Sequence, residues 1–454
     1  MRQVRARALL TLALLNIFVL VAAVVAGDII GSRPPETTPF PVAAAEEAPA
    51  PAATDAPEAE PDRLADRLNG PMSRSGISDG LSGYVADAAT GDRLYDLDAG
   101  KGLVPASTTK IVSAVSVLHS AGPDERVETR VYQGGSAGEI ILKGFGDPTL
   151  TETVRPDEYP RVATLQELAQ STARELRAAG VESVRLGYDD TFYPGPDMAP
   201  GWKQGYIDEG SAATVHALML DGGRTDRLDH YSERVGDPPK QAADAFARQL
   251  DEAGVAVEGG PSAAEVPKSE KPIASVSSAP ISALVEKMLV ESDNNVAEAL
   301  VRQVAIAEGK PPSFKGGSEA VESVMAQLKI PDVKVSDGSG LSVRNDITPK
   351  ALVDLLLLSA DPKRPDLHYT LTGLPIANFT GTLTDRYSEE SGSGAGAGLV
   401  RAKTGTLNGV STLAGVAYDA EGRLLVFAFM ANDPAAAGSA LDTFAAAIAQ
   451  CGCS

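Results

Sequence analysis

The stretch that decides the fold is Pro105-Ala106-Ser107-Thr108-Thr109-Lys110-Ile111-Val112-Ser113-Ala114-Val115. Here a serine precedes a lysine by three residues, and an apolar run typical of a helix follows. Residues three apart share a helix face, so the Ser107 hydroxyl and the Lys110 amine are predicted to lie one turn apart. A lysine of lowered pKa can take the proton of a serine nucleophile. For an isolated S-x-x-K, however, an N-capping serine followed by a solvated lysine is the more common explanation.

Two further stretches shift that balance towards catalysis. Ser292-Asp293-Asn294 lies at the end of a predicted helix over 281–290, and Lys403-Thr404-Gly405-Thr406 precedes a strand-like run that begins at Val410. The motifs S-x-x-K, S-D-N and K-T-G are together the signature of class A β-lactamases and penicillin-binding proteins. Each motif occurs once in this chain and in the expected order.

On these motifs the chain resembles the low-molecular-mass class C penicillin-binding proteins, the D-alanyl-D-alanine carboxypeptidase/endopeptidase family. The likeness runs from about Gly83 to the last predicted helix and includes the segments 144–150 and 337–342. It implies an α/β fold of the penicillin-binding/β-lactamase-like serine peptidase type. That fold has an antiparallel sheet flanked by helices, a helical subdomain and, in this family, an inserted α+β domain.

The resemblance also implies a role for each motif residue in catalysis. Ser107 would attack the carbonyl of the penultimate D-Ala and form an acyl-enzyme, with Lys110 accepting its proton. Ser292 would relay that proton to the leaving amine. Asn294 would hold a substrate carbonyl and contact Lys110. The serine and aspartate of the S-D-N motif could instead be a helix cap, and for Asp293 a structural role is the favoured prediction.

The third motif is expected to bind the substrate. Lys403 would place a positive charge near the terminal carboxylate, and Thr404 and Thr406 would offer hydroxyl groups to it. Gly405 would let the substrate backbone approach the strand closely, because a side chain there would clash. The backbone N–H groups of Ser107 and Thr406 would form the oxyanion hole.

One further binding residue follows from the resemblance, and other kinds of site are not expected. Asp147, in the turn Gly146-Asp147-Pro148, matches the aspartate with which family members bind the amino end of the stem-peptide side chain. A turn-stabilising aspartate before proline is an equal alternative. The histidines have no metal-binding spacing, and no metal or cofactor is predicted; they are His119, His216, His230 and His368.

The sequence therefore predicts a serine D-alanyl-D-alanine carboxypeptidase, alone or with D,D-endopeptidase activity, that acts on peptidoglycan stem peptides and is inhibited by β-lactams. One alternative is a serine β-lactamase, but no E-x-x-x-N segment that could supply a deacylating base lies between the second and third motifs. The other is a non-hydrolytic β-lactam or peptidoglycan sensor, which three intact motifs disfavour.

The length of 454 residues and the spacing of the motifs indicate several parts. Ser292 follows Lys110 by 182 positions, more than a compact β-lactamase needs. The prediction is a membrane anchor or signal, a Pro/Ala/Glu-rich linker, a catalytic domain in two segments and an inserted domain. Their bounds are 1–27, 28–62, 63–123 with 263–450, and 124–262.

The N-terminal segment predicts the location of the protein. Three arginines, Arg2, Arg5 and Arg7, precede an apolar run of about the length that spans a membrane. We expect an uncleaved anchor that holds the enzyme on the extracytoplasmic face of the cell membrane. The small residues before Gly27 leave cleavage and secretion to the cell wall as the alternative. The net charge of −21 argues against a nucleic-acid partner.

The two cysteines stand at the extreme C-terminus in a C-x-C, Cys451 and Cys453. In an exported protein they could form a pair with each other or bond to another chain. Neither is predicted to act in catalysis.

Overall fold

A computed structural model describes residues 56–77, 80–154, 160–268 and 271–454. The predicted anchor 1–27 and most of the predicted linker lie outside these residues. The helices are α1 (Pro61–Arg74), α2 (Thr109–Ser120), α3 (Leu165–Ala178), α4 (Pro238–Glu252), α5 (Ile281–Glu291), α6 (Asn294–Ala307), α7 (Phe314–Leu328), α8 (Pro349–Ala360) and α9 (Gly438–Ala449), with single turns at Gly205–Asp208 and Tyr369–Thr372.

The strands are β1 (Leu81–Asp87), β2 (Arg93–Leu97), β3 (Glu128–Gln133), β4 (Glu139–Gly144), β5 (Ser183–Asp189), β6 (Ala256–Val257), β7 (Ser262–Ala263), β8 (Pro272–Ser277), β9 (Val333–Lys334), β10 (Asp346–Ile347), β11 (Val400–Leu407), β12 (Val410–Tyr418) and β13 (Leu424–Ala431). Two antiparallel hairpins join strands that are neighbours in sequence, β1 with β2 and β12 with β13.

The main sheet is antiparallel and joins strands from the two ends of the described chain, in the order β11-β12-β13-β1-β2. Successive side chains of a strand point to opposite faces. In β13, Phe427 and Phe429 belong to the core on one face, whereas Val426 and Ala428 belong to the core on the other. Both faces of the sheet are therefore covered by helices.

The helices α1 and α9 cover one face of the main sheet. Leu64 and Leu68 of α1 are fully buried in the same core as Phe444 of α9. This packing begins before the predicted end of the linker at residue 62. Ala56 O accepts a hydrogen bond of 3.0 Å from Arg423, and Glu60 N donates one of 2.7 Å to Cys453 O. The linker boundary is thus too late, because the chain is already bound to the sheet at Ala56.

Helices α2 and α5 to α8 cover the opposite face and form the predicted helical subdomain. Every residue of α2 from Thr109 to Leu118 is buried. A helix that is apolar on most sides belongs inside a core rather than on a surface. Helix α2 packs among the other helices of this subdomain, and the turn Ala106–Thr108 that leads into it contacts β11.

The inserted segment forms a second sheet, in the order β6-β5-β4-β3-β8 with β7 against β5. Helices α3 and α4 pack on it through a core that includes Leu168 and Phe246. Strand β8 pairs with β3, so residues 272–277 belong to this sheet and not to the catalytic domain. The predicted boundary at 262 is therefore too early. A short strand is assigned by its partner, here about 140 residues away in sequence, which a local pattern does not reveal.

No helix among the described residues is long and apolar enough to cross a membrane. At the C-terminus, Cys451 and Cys453 are bonded to each other, which is one of the two predicted alternatives. Both are buried in the core that α1 and α9 share. Ala420 N donates a hydrogen bond of 3.1 Å to Cys451 O, so the C-terminal residues are also held to the turn between β12 and β13.

Candidate active site

Ser107 lies in a 3-10 turn, Ala106–Thr108, that leads directly into α2. The preceding Ala106 has a φ of 47°, in the left-handed region that residues with a side chain rarely adopt. Gly340 lies against this turn so closely that a Cβ on it would be 1.9 Å from Ala106 O. The backbone of this turn is thus strained, and the packing of Gly340 against it holds it in place. Strained backbone held by its surroundings is typical of functional sites. It leaves Ser107 half-buried at the start of the helix.

Lys110 lies one turn further along α2 and is fully buried. Its Nζ donates to Ser107 Oγ at 3.0 Å, to Asn294 Oδ1 at 2.7 Å and to Ser339 O at 2.7 Å. Burial lowers the pKa of the Lys110 amine to about 8. Three nearby carboxylates oppose this shift: Asp337, Asp293 and Glu298. An amine with this pKa can accept a proton near neutral pH.

The second motif lies at the junction of two helices. Helix α5 ends at Glu291, and Ser292 takes the left-handed conformation, with φ 58°, that terminates it. Asp293 then caps α6, its Oδ1 accepting a hydrogen bond of 2.9 Å from Val296 N. Because the chain turns between the helices, the three motif side chains contact different partners. Asn294 Nδ2 donates to Ser211 O at 2.8 Å, which links the inserted segment to Lys110.

Asp293 has the structural role predicted for it. Burial alone would raise the pKa of its carboxyl group, but the guanidinium of Arg224 and the amide of Val296 outweigh burial and hold that pKa well below its usual range. Arg224 Nη2 donates to Asp293 Oδ2 at 2.7 Å. The aspartate is therefore ionised, and both of its oxygens are engaged away from Ser107.

Lys403 of β11 is fully buried and connects the third motif to the second. Its Nζ donates to Ser292 Oγ at 2.9 Å and to Thr404 O at 3.0 Å. Burial, with help from the positive charges of Lys110 and Arg386, lowers the pKa of Lys403 well below its usual range. Hydrogen bonds thus join Lys110 to Ser107 and Lys403 to Ser292, and the two lysines are near enough for the charge of Lys110 to act on Lys403.

Gly405 fits the contact between β11 and the turn that carries Ser107. A Cβ on Gly405 would lie 2.8 Å from Pro105 O and 3.0 Å from Ser107 N. Gly405 is predicted to let a substrate approach closely. Within the enzyme itself, the backbone of the turn that carries Ser107 already leaves no room for a side chain at this position. Thr406, the next residue, has an exposed side chain at the edge of the sheet.

A threonine that sequence reasoning missed lies beside the third motif. Thr382 Oγ1 and Thr404 Oγ1 are 2.9 Å apart and share a hydrogen bond. The loop of Thr382 is pressed against the end of α5, since a Cβ on Gly381 would lie 2.3 Å from Val290 O. No motif marks Thr382, because only the folded chain brings it to β11.

The segment 337–342, matched on resemblance but given no role, is a fourth part of the site. Asp337 accepts hydrogen bonds from the amides of Gly340 (3.0 Å) and Ser342 (2.7 Å). Trp202 Nε1 donates to the same carboxylate at 2.7 Å. The segment is therefore a fixed turn, and the carbonyl of Ser339 within it contacts Lys110. A backbone carbonyl has no side-chain signature that could have been detected in the sequence.

Asp147 lies in the loop after β4 and is almost completely buried. Its Oδ1 accepts hydrogen bonds from Thr149 N at 2.9 Å and from Thr149 Oγ1 at 2.6 Å, which is the turn-stabilising arrangement. Its Oδ2 is buried without a hydrogen-bond partner. Burial raises the pKa of Asp147 to about 6. The described hydrogen bonds do not join it to the three motifs, and one oxygen remains for another group.

Within the described residues one cluster has ligand atoms close enough for a metal ion, formed by His230, Glu291 and Asp293 within 4.8 Å of one another. Arg224 already donates to Asp293 Oδ2 at 2.7 Å, and its positive charge would repel a cation. We therefore assign no metal to this cluster.

Known proteins resemble the chain along most of its length. The model of the D-Ala-D-Ala carboxypeptidase 3 (S13) family matches residues 66–230 and 227–451. Carboxypeptidase DacB of Mycolicibacterium smegmatis is 36% identical over 382 residues, which cover 82% of this chain and 81% of the relative. A D-alanyl-D-alanine carboxypeptidase of Actinomadura sp. is 26% identical over 460 residues, 82% of each chain.

The fold is also similar to that of a solved structure. Penicillin binding protein 4 (dacB) from Haemophilus influenzae superposes with a TM-score of 0.67 at 22% sequence identity. The match covers 84% of this chain and 97% of that one. At this identity the likeness concerns the fold alone.

Proposed function

Because the chain belongs to the D-Ala-D-Ala carboxypeptidase 3 (S13) family and is a serine peptidase, we propose that it removes the terminal D-Ala from peptidoglycan stem peptides through an acyl-enzyme on Ser107. Membership confirms the family predicted from the three motifs. The observation that carries the proposal is the contact of Lys110 Nζ with Ser107 Oγ at 3.0 Å, made by an amine that burial keeps ready to lose its proton.

The acylation step uses the motif residues in turn. Ser107 Oγ forms a bond to the carbonyl carbon of the penultimate D-Ala while its proton passes to Lys110 Nζ. The C–N bond to the terminal D-Ala then breaks, and the leaving amine takes a proton. Ser292 is the proposed donor: its oxygen accepts a hydrogen bond from Lys403, so its own proton is free to be given away, and the proton that Lys110 took from Ser107 replaces it. Water later hydrolyses the ester and frees Ser107.

Substrate binding is assigned to the edge of β11. We propose that Lys403 supplies positive charge to the terminal carboxylate and that the hydroxyls of Thr404 and Thr406 donate to it. The Asn294 amide has a second N–H besides the one bonded to Ser211 O, and this N–H is assigned to a substrate carbonyl. The unpartnered Oδ2 of Asp147 is assigned to the amino group of the stem-peptide side chain.

The experiment that tests the proposal is the intact mass of the protein after addition of benzylpenicillin, followed from minutes to hours. A β-lactam mimics the acyl donor, so a persistent adduct that maps to Ser107 is expected, together with release of D-Ala from a stem peptide. A transient adduct with consumption of the drug would favour the β-lactamase alternative. A stable adduct without release of D-Ala would favour the sensor. Ser107→Ala should form no adduct, and an adduct on that variant would disprove the nucleophile.

For location, we propose that residues 1–27 hold the enzyme at the extracytoplasmic face of the membrane, with secretion as the alternative. The full chain should sediment with membranes, and a chain lacking residues 1–55 should be soluble and equally active. Removal through Arg74 should instead give an unstable protein, because Leu64 and Leu68 fill the core under the main sheet. If cells that express the full chain release it into the medium with its N-terminal segment removed, this would contradict the anchor.

A further inference from the structure

The direction of the electron pair of Lys110 is decided by two acceptors other than Ser107. A charged lysine has three N–H groups and no acceptor, so the neutral base that must receive a proton keeps two N–H groups and one electron pair. Asn294 Oδ1 and Ser339 O, each 2.7 Å from Nζ, can take those two N–H groups. The pair then faces Ser107 Oγ at 3.0 Å. If the Ser339 carbonyl were displaced, the electron pair of Lys110 would no longer point at Ser107 Oγ.

The position of that carbonyl depends on a buried glutamate in α6. Glu298 is fully buried, and its Oε1 accepts hydrogen bonds from Gly338 N at 3.0 Å and from Ser339 N at 2.8 Å. Two consecutive peptide units of the turn are therefore fixed to one carboxylate oxygen. Asp337 fixes the next unit by accepting from Gly340 N at 3.0 Å.

Glu298 follows Asn294 by four residues on α6, so the two side chains share one face of the helix. Asn294 contacts Lys110 directly, and Glu298 reaches it through the turn. The second oxygen of Glu298 lies 3.4 Å from Arg302 Nη1, and the Arg302 guanidinium stacks over the ring of Phe314 at 4.2 Å. Burying such an ion pair is costly and is often no better for stability than an apolar replacement. Its presence beside the base calls for another explanation.

We propose that Glu298 is a positioning residue: by holding the amides of Gly338 and Ser339, it keeps the Ser339 carbonyl where Lys110 needs it, so that the free electron pair of the base faces Ser107. This inference rests on the proposed function. In this role Glu298 acts by holding the turn in place, and not only by the effect of its negative charge on Lys110. Lys110 faces the carboxylates of Glu298, Asp337 and Asp293 and the ammonium of Lys403, and Glu298 itself faces Asp337 and Arg302.

Two variants separate position from charge. Glu298→Gln keeps an oxygen at the same reach for the two amides but loses the charge. Glu298→Asp keeps the charge but is shorter by one methylene and cannot reach them without moving the turn. We expect the rate constant of acylation by benzylpenicillin to fall less than about 5-fold in Glu298→Gln and at least about 50-fold in Glu298→Asp, since a shift of ~1 Å can cost on the order of 100-fold.

The loss in Glu298→Asp should persist at pH 9, where Lys110 is mostly neutral, because a displaced carbonyl is displaced at every pH. The opposite order of the two variants, or a loss that disappears at pH 9, would overturn the positioning role. Acylation of the wild-type protein at Ser107 is measured first, and its absence would refute the proposed function rather than this inference.

Two serines of α2 make the test independent of how well the Glu298 variants fold. Ser113 Oγ donates to Gly338 O at 2.7 Å and so holds the same turn from the other side. Ser116 Oγ is buried on the same helix and has no hydrogen-bond partner. Ser113→Ala should lose acylation rate several-fold while Ser116→Ala acylates like the wild type. Equal rates in these two variants would contradict the proposal even if neither Glu298 variant could be purified.

Discussion

Replacing Gly405 by alanine tests the contact between β11 and the turn that carries Ser107. The new methyl group would lie 2.1 Å from Thr412 Oγ1, 2.8 Å from Pro105 O and 3.0 Å from Ser107 N. The hydroxyl can rotate away, but it then loses its 2.7 Å bond to Pro105 O, worth about 1 kcal/mol. The backbone atoms can yield only by moving the turn, and overpacking of this kind costs about 1–3 kcal/mol. We therefore expect Gly405→Ala to lose about 2–4 kcal/mol of unfolding free energy.

Acylation should suffer more than stability. If the turn moves away from the strand by ~1 Å, the reacting geometry is lost and the rate falls by on the order of 100-fold. Urea unfolding gives the first quantity, and the time course of benzylpenicillin adduct formation gives the second. Gly260→Ala is the matched control, because a Cβ there meets no atom within 4 Å. A Gly405→Ala protein with wild-type stability and rate would refute the reasoning.

The double variant Gly405→Ala/Thr412→Ala separates the two kinds of contact. Removing the Thr412 hydroxyl relieves the shortest contact but leaves the methyl group against Pro105 O and Ser107 N. Adding Gly405→Ala to Thr412→Ala should therefore lower the unfolding free energy by less than adding it to the wild type does. The acylation rate should remain as low as in Gly405→Ala alone. Full recovery of the rate would mean that the side chain, rather than the backbone, transmits the effect.

Three further predictions concern single groups. Acylation needs the neutral form of Lys110, whose pKa burial lowers to about 8, so the rate should rise with pH up to about 8 and then level; a rate that is constant from pH 6 to 9 would contradict this. Thr382→Val removes the hydrogen bond to Thr404, worth about 1 kcal/mol, and should slow acylation by carboxylate-bearing β-lactams roughly 5-fold in stopped-flow measurements, whereas an unchanged rate would exclude a role. Arg224→Met leaves the Asp293 carboxylate buried without its cation and should cost about 3 kcal/mol in urea unfolding at pH 7. In the variant, burial without the cation raises the pKa of Asp293, so this carboxylate becomes protonated as the pH falls and the difference between the two proteins should shrink towards pH 4. The contribution of the lowered pKa in the wild type is itself lost only at pH values below the ordinary aspartate pKa.

The parts of the fold that sequence predicted correctly are those determined by neighbouring residues. The spacing of Ser107 and Lys110 places them on one helix face whatever else the chain does. The strand-like run that begins at Val410 is strand β12, which pairs with the next strand, β13, across a short turn, so its pairing is local. The predicted family and fold are confirmed by the match to the S13 model and by the similarity to penicillin binding protein 4.

The parts that were missed or wrong depend on contacts between distant segments. The sheet to which β8 belongs is decided by its pairing with β3, and Ala56 is held by a hydrogen bond from the guanidinium of Arg423. Neither contact can be predicted from neighbouring residues. In the site, Glu298 acts on a turn 40 residues further along the chain, and the group it positions is a backbone carbonyl. A sequence motif contains only side chains that are close together in the chain. It therefore cannot predict the parts of a site that are backbone atoms or carboxylates from distant segments.

The same carboxylates decide what happens after acylation. Hydrolysis of a penicilloyl ester at β-lactamase rates needs a base that activates water, and the three carboxylates near Lys110 are the natural candidates. Each is already engaged: Asp293 by Val296 N and Arg224, Asp337 by the amides and side chains of its own turn and by Trp202, and Glu298 by two amides and Arg302. A carboxylate held by several hydrogen bonds can turn to a water only by giving some of them up, and for Glu298 and Asp337 this would release the turn whose Ser339 carbonyl contacts Lys110. Among the described residues, the groups that prepare Ser107 for attack are thus unavailable for rapid deacylation, and a penicilloyl adduct on this enzyme should persist for hours.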